Sequence, residues 1–226
     1  MTGKDVIEIR RPELFYVANE KGIKVYGSNQ NWYPKGEFYP KGACGPAVAS
    51  DILAYLMRTR PELLSRAKAS GLDGLAETGA NDKAGYLGFM KKVYRYFKPS
   101  MIGLHYPWFV KGMARIACER DLPFSVTRLR VPARRTARPS FEKAAEYIRS
   151  SLAADIPVAF LTVSAGGIEN LYTWHWMSVI GLDEDSKKIK TLSNTRTSWA
   201  DLGSWLEKSK LGGAFVRIEG LDDDRA

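Results

Sequence analysis

Apolar residues recur at helical spacing through the first half of the chain. In the segment AVASDILAYLMR, Val48, Ile52 and Leu56 fall on one side of a helix, which predicts a helix over 47–58 with one face in a core. Pro46 suits the first turn of this helix, where its missing amide hydrogen is not needed. The short apolar runs before about residue 33 alternate with turn residues and indicate extended segments. Similar apolar stripes predict further helices over 61–70, 82–97 and 106–121.

The later part of the chain has the pattern of a β-sheet. Alternating apolar and polar residues predict a half-buried strand over 122–131, and Ser140 can cap a helix over 141–155. Helices followed by strands predict an α+β protein. We expect a single domain over 1–226, with a helical half at 26–121 and a sheet-rich half at 122–220. Four apolar runs of strand length are predicted as buried strands, over 156–163, 174–183, 187–194 and 214–220.

Composition indicates a folded protein with a basic surface. Of the 226 residues, 45% are hydrophobic and 12% are aromatic, which provides enough apolar surface for a core. The 34 Lys and Arg residues exceed the 25 Asp and Glu residues, and five arginines fall between Arg128 and Arg138. We expect this arginine-rich stretch to be a solvated loop. The alternative is a binding site for an acidic protein or a nucleic acid.

No segment has the pattern of a membrane span. The opening segment MTGKDVIEIRRPELF has mixed charges and no apolar core of signal-peptide length. No run approaches the ~18 consecutive apolar residues of a transmembrane helix. The chain as given is therefore expected to be cytoplasmic, which leaves open a secreted form processed from a longer precursor.

The candidate chemistry rests on two cysteines and two histidines. This set cannot build a zinc-finger array or a disulfide scaffold, and we expect no metal or organic cofactor. Cys44 lies where the first predicted helix begins, and the positive end of a helix dipole lowers the pKa of a nearby thiol. The alternative for Cys44 is a buried cysteine that packs as a small hydrophobe. Cys118 falls in an apolar helical stripe and is expected in the core, whereas His105 is expected to cap a helix or to pack.

His175 is the candidate general base. It opens the apolar run 174–183, and the end of a rigid strand is a good mount for an imidazole. Asn194 ends the next predicted strand, where its side chain could accept the second ring N–H of His175. Ser193 and Asp201 are alternatives for this orienting role.

These segments, in this order, resemble the papain-like cysteine peptidases, most of all the bacterial branch related to the bacteriocin-processing peptidases. The resemblance covers about residues 26–218, and its specific parts are CGP at a helix start and the segment HWMSVIGLD. It implies a papain-like fold, with a nucleophile at a helix start in the helical half and an antiparallel sheet in the other half. It assigns Cys44 as nucleophile, His175 as base and Asn194 as orienting residue. The implied activity is hydrolysis of amide bonds in peptide or protein substrates, without a cofactor.

The chain departs from this family shortly before the nucleophile. The family usually has a glutamine about six residues before its cysteine, whose side-chain amide helps to bind the oxyanion, and this chain has Phe38 there. The nearest glutamine is Gln30. It can serve if the segment 33–42 loops out and returns the chain to the site. Asn29 and Asn31 could donate the same hydrogen bond.

Two other functions remain open at this point. A transglutaminase-like acyltransferase would form the same acyl-enzyme and pass the acyl group to an amine instead of water. A non-catalytic module on the same scaffold would use the stretch from Arg128 to Arg138 to bind an acidic or nucleic-acid partner.

Overall fold

A computed structural model of the chain describes residues 6–38, 40–75, 81–100 and 103–221. This part of the chain contains six α-helices: α1 (Cys44–Thr59), α2 (Pro61–Ala69), α3 (Lys83–Tyr94), α4 (Tyr106–Glu119), α5 (Phe141–Ala153) and α6 (Leu202–Lys208). It also contains ten strands: β1 (Ile7–Glu8), β2 (Tyr16–Ala18), β3 (Lys24–Tyr26), β4 (Asn81–Asp82), β5 (Ser125–Val131), β6 (Val158–Thr162), β7 (His175–Asp183), β8 (Lys188–Ser193), β9 (Arg196–Asp201) and β10 (Gly213–Glu219). Helices dominate the chain before β5 and strands dominate it afterwards, so the predicted α+β class is confirmed.

Seven of the described strands form one antiparallel sheet. Its order is β5-β10-β6-β7-β8-β9, and β1 pairs with the far end of β7. The strand β10 follows the others in the chain but lies between β5 and β6. A second, three-stranded sheet is made of β2, β3 and β4. The predicted strands at 156–163, 174–183, 187–194 and 214–220 correspond to β6, β7, β8 and β10.

The helix α1 is the centre of the core. The sequence predicts one apolar face, but the side chains from Cys44 to Met57 are all buried. The reason is that α1 is surrounded: it packs against α2, α3 and α4 and against the strands β6 and β7. A helix that is enclosed on every side must be built from residues that tolerate burial all round, and this one is rich in small and aliphatic side chains.

The first turn of α1 has no side-chain cap. Its N-cap residue is Ala43, which offers no oxygen to the free N–H groups at the helix start. By contrast, α5 begins as the sequence predicts, because the Ser140 side chain accepts a hydrogen bond from the N–H of Lys143. The uncapped start leaves the amides around Cys44 available to other acceptors.

The strand β9, which forms a hairpin with β8, and the helix α6 are additions to the predicted elements. The sequence pattern predicts β8 but neither β9 nor α6. The strand β9 is an edge strand, and its segment RTSWAD lacks the apolar run that marks a buried strand. The turn of the hairpin is formed by Asn194 and Thr195, which have φ values of 49° and 67°. Positive φ at both central residues is the requirement of a type I′ turn, and Asn suits its first position.

The arginine-rich stretch is only partly a loop. Arg128 and Arg130 lie in the edge strand β5, with exposed side chains. Arg138 is used internally, because its guanidinium donates hydrogen bonds to the carbonyl oxygens of four residues, which are Pro132, Ala133, Leu206 and Ser209. Arg134 and Arg135 are exposed and follow the strand.

None of the helices in the described part of the chain has both the length and the apolar content that a membrane span requires.

Candidate active site

A small cavity joins the start of α1 to the start of β7. Its lining includes Cys44, His175, Gln30 and Asn194, the four residues that the sequence assigns to catalysis, and also Ser193. The cavity has a volume of about 10 Å³, roughly the room that one water molecule requires. The fold thus gathers these side chains from four places in the chain: the turn at Gln30, the start of α1, the start of β7 and the end of β8.

Gly45 allows α1 to approach β7 closely. A Cβ atom at this position would lie 2.7 Å from Leu104 Cδ2 and 3.2 Å from Trp176 Cδ1. Trp176 is itself fixed, since its indole Nε1 donates to the carbonyl oxygen of Leu104 at 2.7 Å and its ring stacks on Phe109. The residue next to His175 is therefore anchored against the helix that begins with Cys44.

The Cys44 thiol is buried, with 5% of the residue exposed. Burial raises its pKa above the ordinary value, while hydrogen bonds from the backbone N–H groups of Trp176, Gly45 and Cys44 itself act to lower it. The expectation of a lowered pKa at the helix start is therefore wrong for this structure. The helix start supplies the predicted N–H groups, but the loss of hydration outweighs them, and the thiol is neutral near pH 7.

His175 is 9% exposed and is the first residue of β7. Burial lowers its pKa to about 4, so the imidazole is neutral near pH 7. Its Nε2 lies 2.6 Å from Ser193 Oγ, and its ring has an edge-to-face contact with Tyr172. These two contacts fix the ring and leave Nδ1 as the nitrogen that can exchange a proton with another group.

The orienting contact falls to Ser193 rather than to Asn194. Ser193 is the last residue of β8, and Asn194 is already in the turn that follows. The side chain of Asn194 lines the cavity, but the hydrogen bond that the sequence assigns to it is made by Ser193, one of the predicted alternatives. The other alternative, Asp201, accepts a hydrogen bond from the N–H of Ser204 and so caps α6.

Gln30 reaches the cavity although the chain makes a long detour before Cys44. The detour is packed, because Tyr33 and Phe38 are buried and both rings contact Tyr94. Gln30 Oε1 is buried and has no hydrogen-bond partner in the described part of the chain. A buried amide oxygen without a partner can accept a hydrogen bond from a bound molecule.

The two asparagines beside Gln30 have other positions. The Asn29 side chain accepts a hydrogen bond from the N–H of Asn31 at 2.9 Å, which caps the 3₁₀ turn Gln30–Trp32. Asn31 is exposed and does not line the cavity. Of the three amides proposed for the oxyanion, Gln30 is the one in contact with the same cavity as Cys44.

Asp51 is a buried residue of the candidate site that the sequence pattern alone does not reveal as functional. It lies two turns after Cys44 on α1, is 2% exposed, and lines the same cavity. Its carboxylate accepts hydrogen bonds from the Ser28 N–H at 3.0 Å and 3.2 Å and from the Tyr86 hydroxyl at 2.9 Å. Burial raises its pKa to about 7, against these hydrogen bonds and the nearby charge of Arg58. In the sequence, the feature that points to Asp51 is a charged residue inside the apolar stripe AVASDILAYL.

Asp51 holds the segment that carries Gln30. The segment approaches α1 through Gly27, which has a φ of 62° and where a Cβ atom would lie 2.7 Å from Asp51 Oδ2. Ser28 then donates its N–H to Asp51, and Gln30 follows two residues later. The carboxylate therefore links the position of Gln30 to the helix that begins with Cys44.

The remaining cysteine and histidine lie outside the cavity. Cys118 is exposed on α4, so its predicted place in the core is wrong: the buried stripe of that helix passes through its neighbours Ile116 and Ala117. His105 precedes α4, makes no side-chain cap, and packs on Tyr106 with ring centroids 4.7 Å apart. Its prediction as a packing residue agrees with this contact.

Comparison with known proteins adds no family assignment. A scan against protein-family models finds no matching model, and a search of curated proteins finds no matching relative. Within the described residues, no three His, Cys, Asp or Glu side chains form a group that could hold a metal ion.

Proposed function

We propose that the protein is a papain-like cysteine hydrolase that cleaves amide bonds in peptides or proteins. One observation carries the proposal: Cys44 and His175, with more than half of the chain between them, line one cavity, and the N–H of Trp176 is a hydrogen-bond donor to the Cys44 thiol. Because Trp176 directly follows His175, this hydrogen bond brings the backbone of the base next to the nucleophile.

The reaction begins from a neutral thiol and a neutral imidazole. With Nε2–H donating to Ser193 Oγ, Nδ1 has a free lone pair and acts as general base. It takes the thiol proton as Cys44 Sγ bonds to the substrate carbonyl carbon. The imidazolium then returns this proton to the amide nitrogen, the C–N bond breaks, and an amine leaves from a thioester.

Water completes the cycle. Nδ1 of His175 takes a proton from the water as its oxygen bonds to the thioester carbonyl carbon. The C–S bond then breaks, the proton passes to sulfur, and a carboxylic acid leaves. The cavity has room for one water molecule, which is what this step needs.

Two groups are suited to stabilise the oxyanion. The backbone N–H of Cys44 lies at the uncapped start of α1, where the helix dipole favours negative charge. The side-chain amide of Gln30 can turn about its last torsion to present its N–H groups. Donors held in place before the reaction are worth more than donors that must be recruited from water.

Peptide turnover tests the proposal. Wild-type protein is incubated with a tryptic digest of a cell extract, and new peptide termini are identified by mass spectrometry. We expect cleavage by the wild-type chain and by Cys118→Ala, the matched control at the exposed cysteine. We expect none by Cys44→Ala or His175→Ala. Cleavage that persists in Cys44→Ala, or absence of cleavage together with absence of any acyl adduct on Cys44, contradicts the proposal.

A further inference from the structure

A second, larger cavity lies directly beside the candidate active site. Its volume is about 470 Å³, and Ser193 and Asn194 line both cavities. Tyr172, whose ring contacts His175, lines the second cavity as well. Because the first cavity holds only about one water molecule, the groups that flank a scissile bond must lie outside it. The second cavity is the neighbouring space that is large enough for an amino-acid side chain.

The walls of this cavity are polar. Amide and hydroxyl groups dominate, contributed among others by Asn29, Asn170 and Thr197. Among the described residues that line it, Arg196 alone carries a formal charge, so acidic groups are absent from this lining. A cavity with hydrogen-bonding walls and a single positive charge is complementary to a carboxylate and unfavourable for an aliphatic side chain.

Arg196 has a fixed place relative to the base. It is the first residue of β9 and pairs directly with Ser193 across the turn. Residues that are directly opposite in an antiparallel pair have their side chains on the same face of the sheet, with Cβ atoms about 5 Å apart. Ser193 uses that face to contact His175, so Arg196 starts from the same face of the sheet as the Ser193–His175 contact. Its side chain is exposed and has no ion-pair partner within the described part of the chain.

The cavity is closed on one side by a loop that is tied to β9. The Asn170 side chain donates from Nδ2 to the carbonyl oxygen of Trp199 at 3.0 Å, which holds the loop before β7 against the edge strand. The polar walls are thus held in place before a ligand binds, and pre-formed sites lose less affinity to ordering.

We propose that this cavity binds a substrate residue close to the scissile bond and selects a side-chain carboxylate through Arg196. The proposal rests on the proposed function and assigns its substrate class: peptides with aspartate or glutamate next to the cleaved amide bond. The guanidinium forms a charge-assisted pair with the carboxylate, and the surrounding amides and hydroxyls satisfy its remaining lone pairs. The net charge of +9 attracts such acidic peptides over a longer range.

The test measures binding rather than turnover. Cys44→Ala protein labelled with ¹⁵N is titrated with two pentapeptides, N-acetyl-Ala-Ala-Glu-Ala-Ala-amide and the same peptide with Gln. We expect the Glu peptide to shift the backbone amide signals of Asn170, Arg196 and Thr197 and to bind about tenfold more tightly than the Gln peptide. Arg196→Gln in the same background should remove this preference, and Arg196→Lys should retain part of it. Arg134→Gln, an exposed arginine beyond the opposite edge of the sheet, is the matched control and should leave it unchanged.

Several results would overturn the proposal. Equal affinity for the two peptides, a Glu preference that survives Arg196→Gln, or signals that shift only outside the cavity each contradict it, as does the absence of binding by either peptide. These outcomes are independent of the proposed hydrolysis, because the binding protein lacks its thiol. If the wild-type chain cleaves peptides without an acidic preference, the hydrolase proposal stands and the carboxylate site fails.

Discussion

His175 Nε2 and Ser193 Oγ are 2.6 Å apart, and this contact occupies Nε2 while Nδ1 takes no part in it. The pair joins the first residue of β7 to the last residue of β8. The imidazole is thereby oriented by a hydroxyl, which can both donate and accept, and not by a carboxylate that would stabilise an imidazolium. The neutral resting state of the site follows from this arrangement and from the burial of His175 and Cys44.

Replacement of Ser193 by Ala is expected to lower kcat about tenfold with little change in KM, because the ring loses the hydrogen bond that holds its orientation. Asn194→Gly is the matched control. Glycine adopts the positive φ of this turn without strain, so the hairpin is kept while the amide is removed. Steady-state kinetics on a cleaved peptide compare the two. A larger loss of kcat in Asn194→Gly than in Ser193→Ala would return the orienting role to Asn194.

Replacement of Gln30 by Ala is expected to reduce kcat by about 10²-fold or more with KM nearly unchanged, since an oxyanion donor acts in the transition state. Asn31→Ala, one residue away and exposed, should behave as wild type. If both variants retain full kcat, the oxyanion is stabilised without Gln30.

The pH dependence of Cys44 alkylation reports the charge state of the site. Because burial raises the pKa of Cys44, iodoacetamide labelling in Cys118→Ala protein should increase about tenfold per pH unit from pH 7 to 9 without reaching a plateau. The labelling rate is measured by mass spectrometry, with free cysteine as the reference thiol. A rate that is constant from pH 5 to 8 would indicate a stable thiolate–imidazolium pair and contradict the neutral resting state.

The acid limb of the activity profile reports His175. Its pKa is lowered to about 4, so kcat/KM should fall only as the pH drops through about 4, below the range of an exposed histidine. An acid limb near pH 6.5 would contradict this prediction.

The lowered pKa of His175 also makes the free energy of unfolding depend on pH. Between about pH 6.5 and 4, the unfolded chain binds a proton at His175 and the folded chain does not. The free energy of unfolding therefore decreases as the pH falls through this range, by up to about 3 kcal/mol. Denaturant titrations of wild type and His175→Gln at several pH values measure this decrease in the free energy of unfolding. A decrease of the same size in both proteins would contradict the assignment to His175.

Asp51 is expected to act on kcat through Gln30. Asp51→Ala leaves the Ser28 N–H and the Tyr86 hydroxyl without their buried acceptor, which frees the segment carrying Gln30. The expected loss of kcat is about tenfold and should disappear in a Gln30→Ala background, as a double-mutant cycle requires for coupled residues. Asp51→Asn keeps an acceptor and should recover most of the activity. Additive losses in the double variant would assign Asp51 a purely structural role.

Asp51 also gives the stability an opposite pH dependence to that of His175. Its pKa is raised to about 7, so the folded chain holds a proton that the unfolded chain releases near pH 4. The free energy of unfolding contributed by this group therefore decreases as the pH rises from about 4 through 7. Asp51→Asn should remove that decrease.

The sequence singles out Cys44 and His175, the proposed nucleophile and base, because both stand at element boundaries that local pattern reveals. Cys44 precedes a proline at the start of an apolar stripe, and His175 opens a buried strand. Local pattern does not determine whether Ser193 or Asn194 contacts His175. That contact depends on which of two adjacent residues ends the strand, and a shift of one residue reverses the side-chain direction.

Three other features of the candidate site depend on packing between distant parts of the chain: the position of Gln30, the pKa of Cys44 and the hydrogen bonds of Asp51. Gln30 reaches the cavity only through the course of the segment that follows it, which local pattern does not determine. The pKa of Cys44 is set by competition between nearby N–H groups and burial, and burial cannot be judged before the neighbours of α1 are known. Asp51 could have been noticed as a charge inside an apolar stripe, but its hydrogen bonds to Ser28 and Tyr86 join parts of the chain that are far apart.

The proposed reaction depends on β10, although no proposed catalytic residue lies in that strand. Every proposed catalytic residue precedes Gly213, yet β10 is the only connection between β5 and the rest of the main sheet among the described strands. A chain cut before residue 213 would keep the nucleophile, the base and the oxyanion donors. It would also expose the edge of β6 and release β5. Truncation before residue 213 is therefore expected to abolish the proposed activity, although it removes none of the proposed catalytic residues.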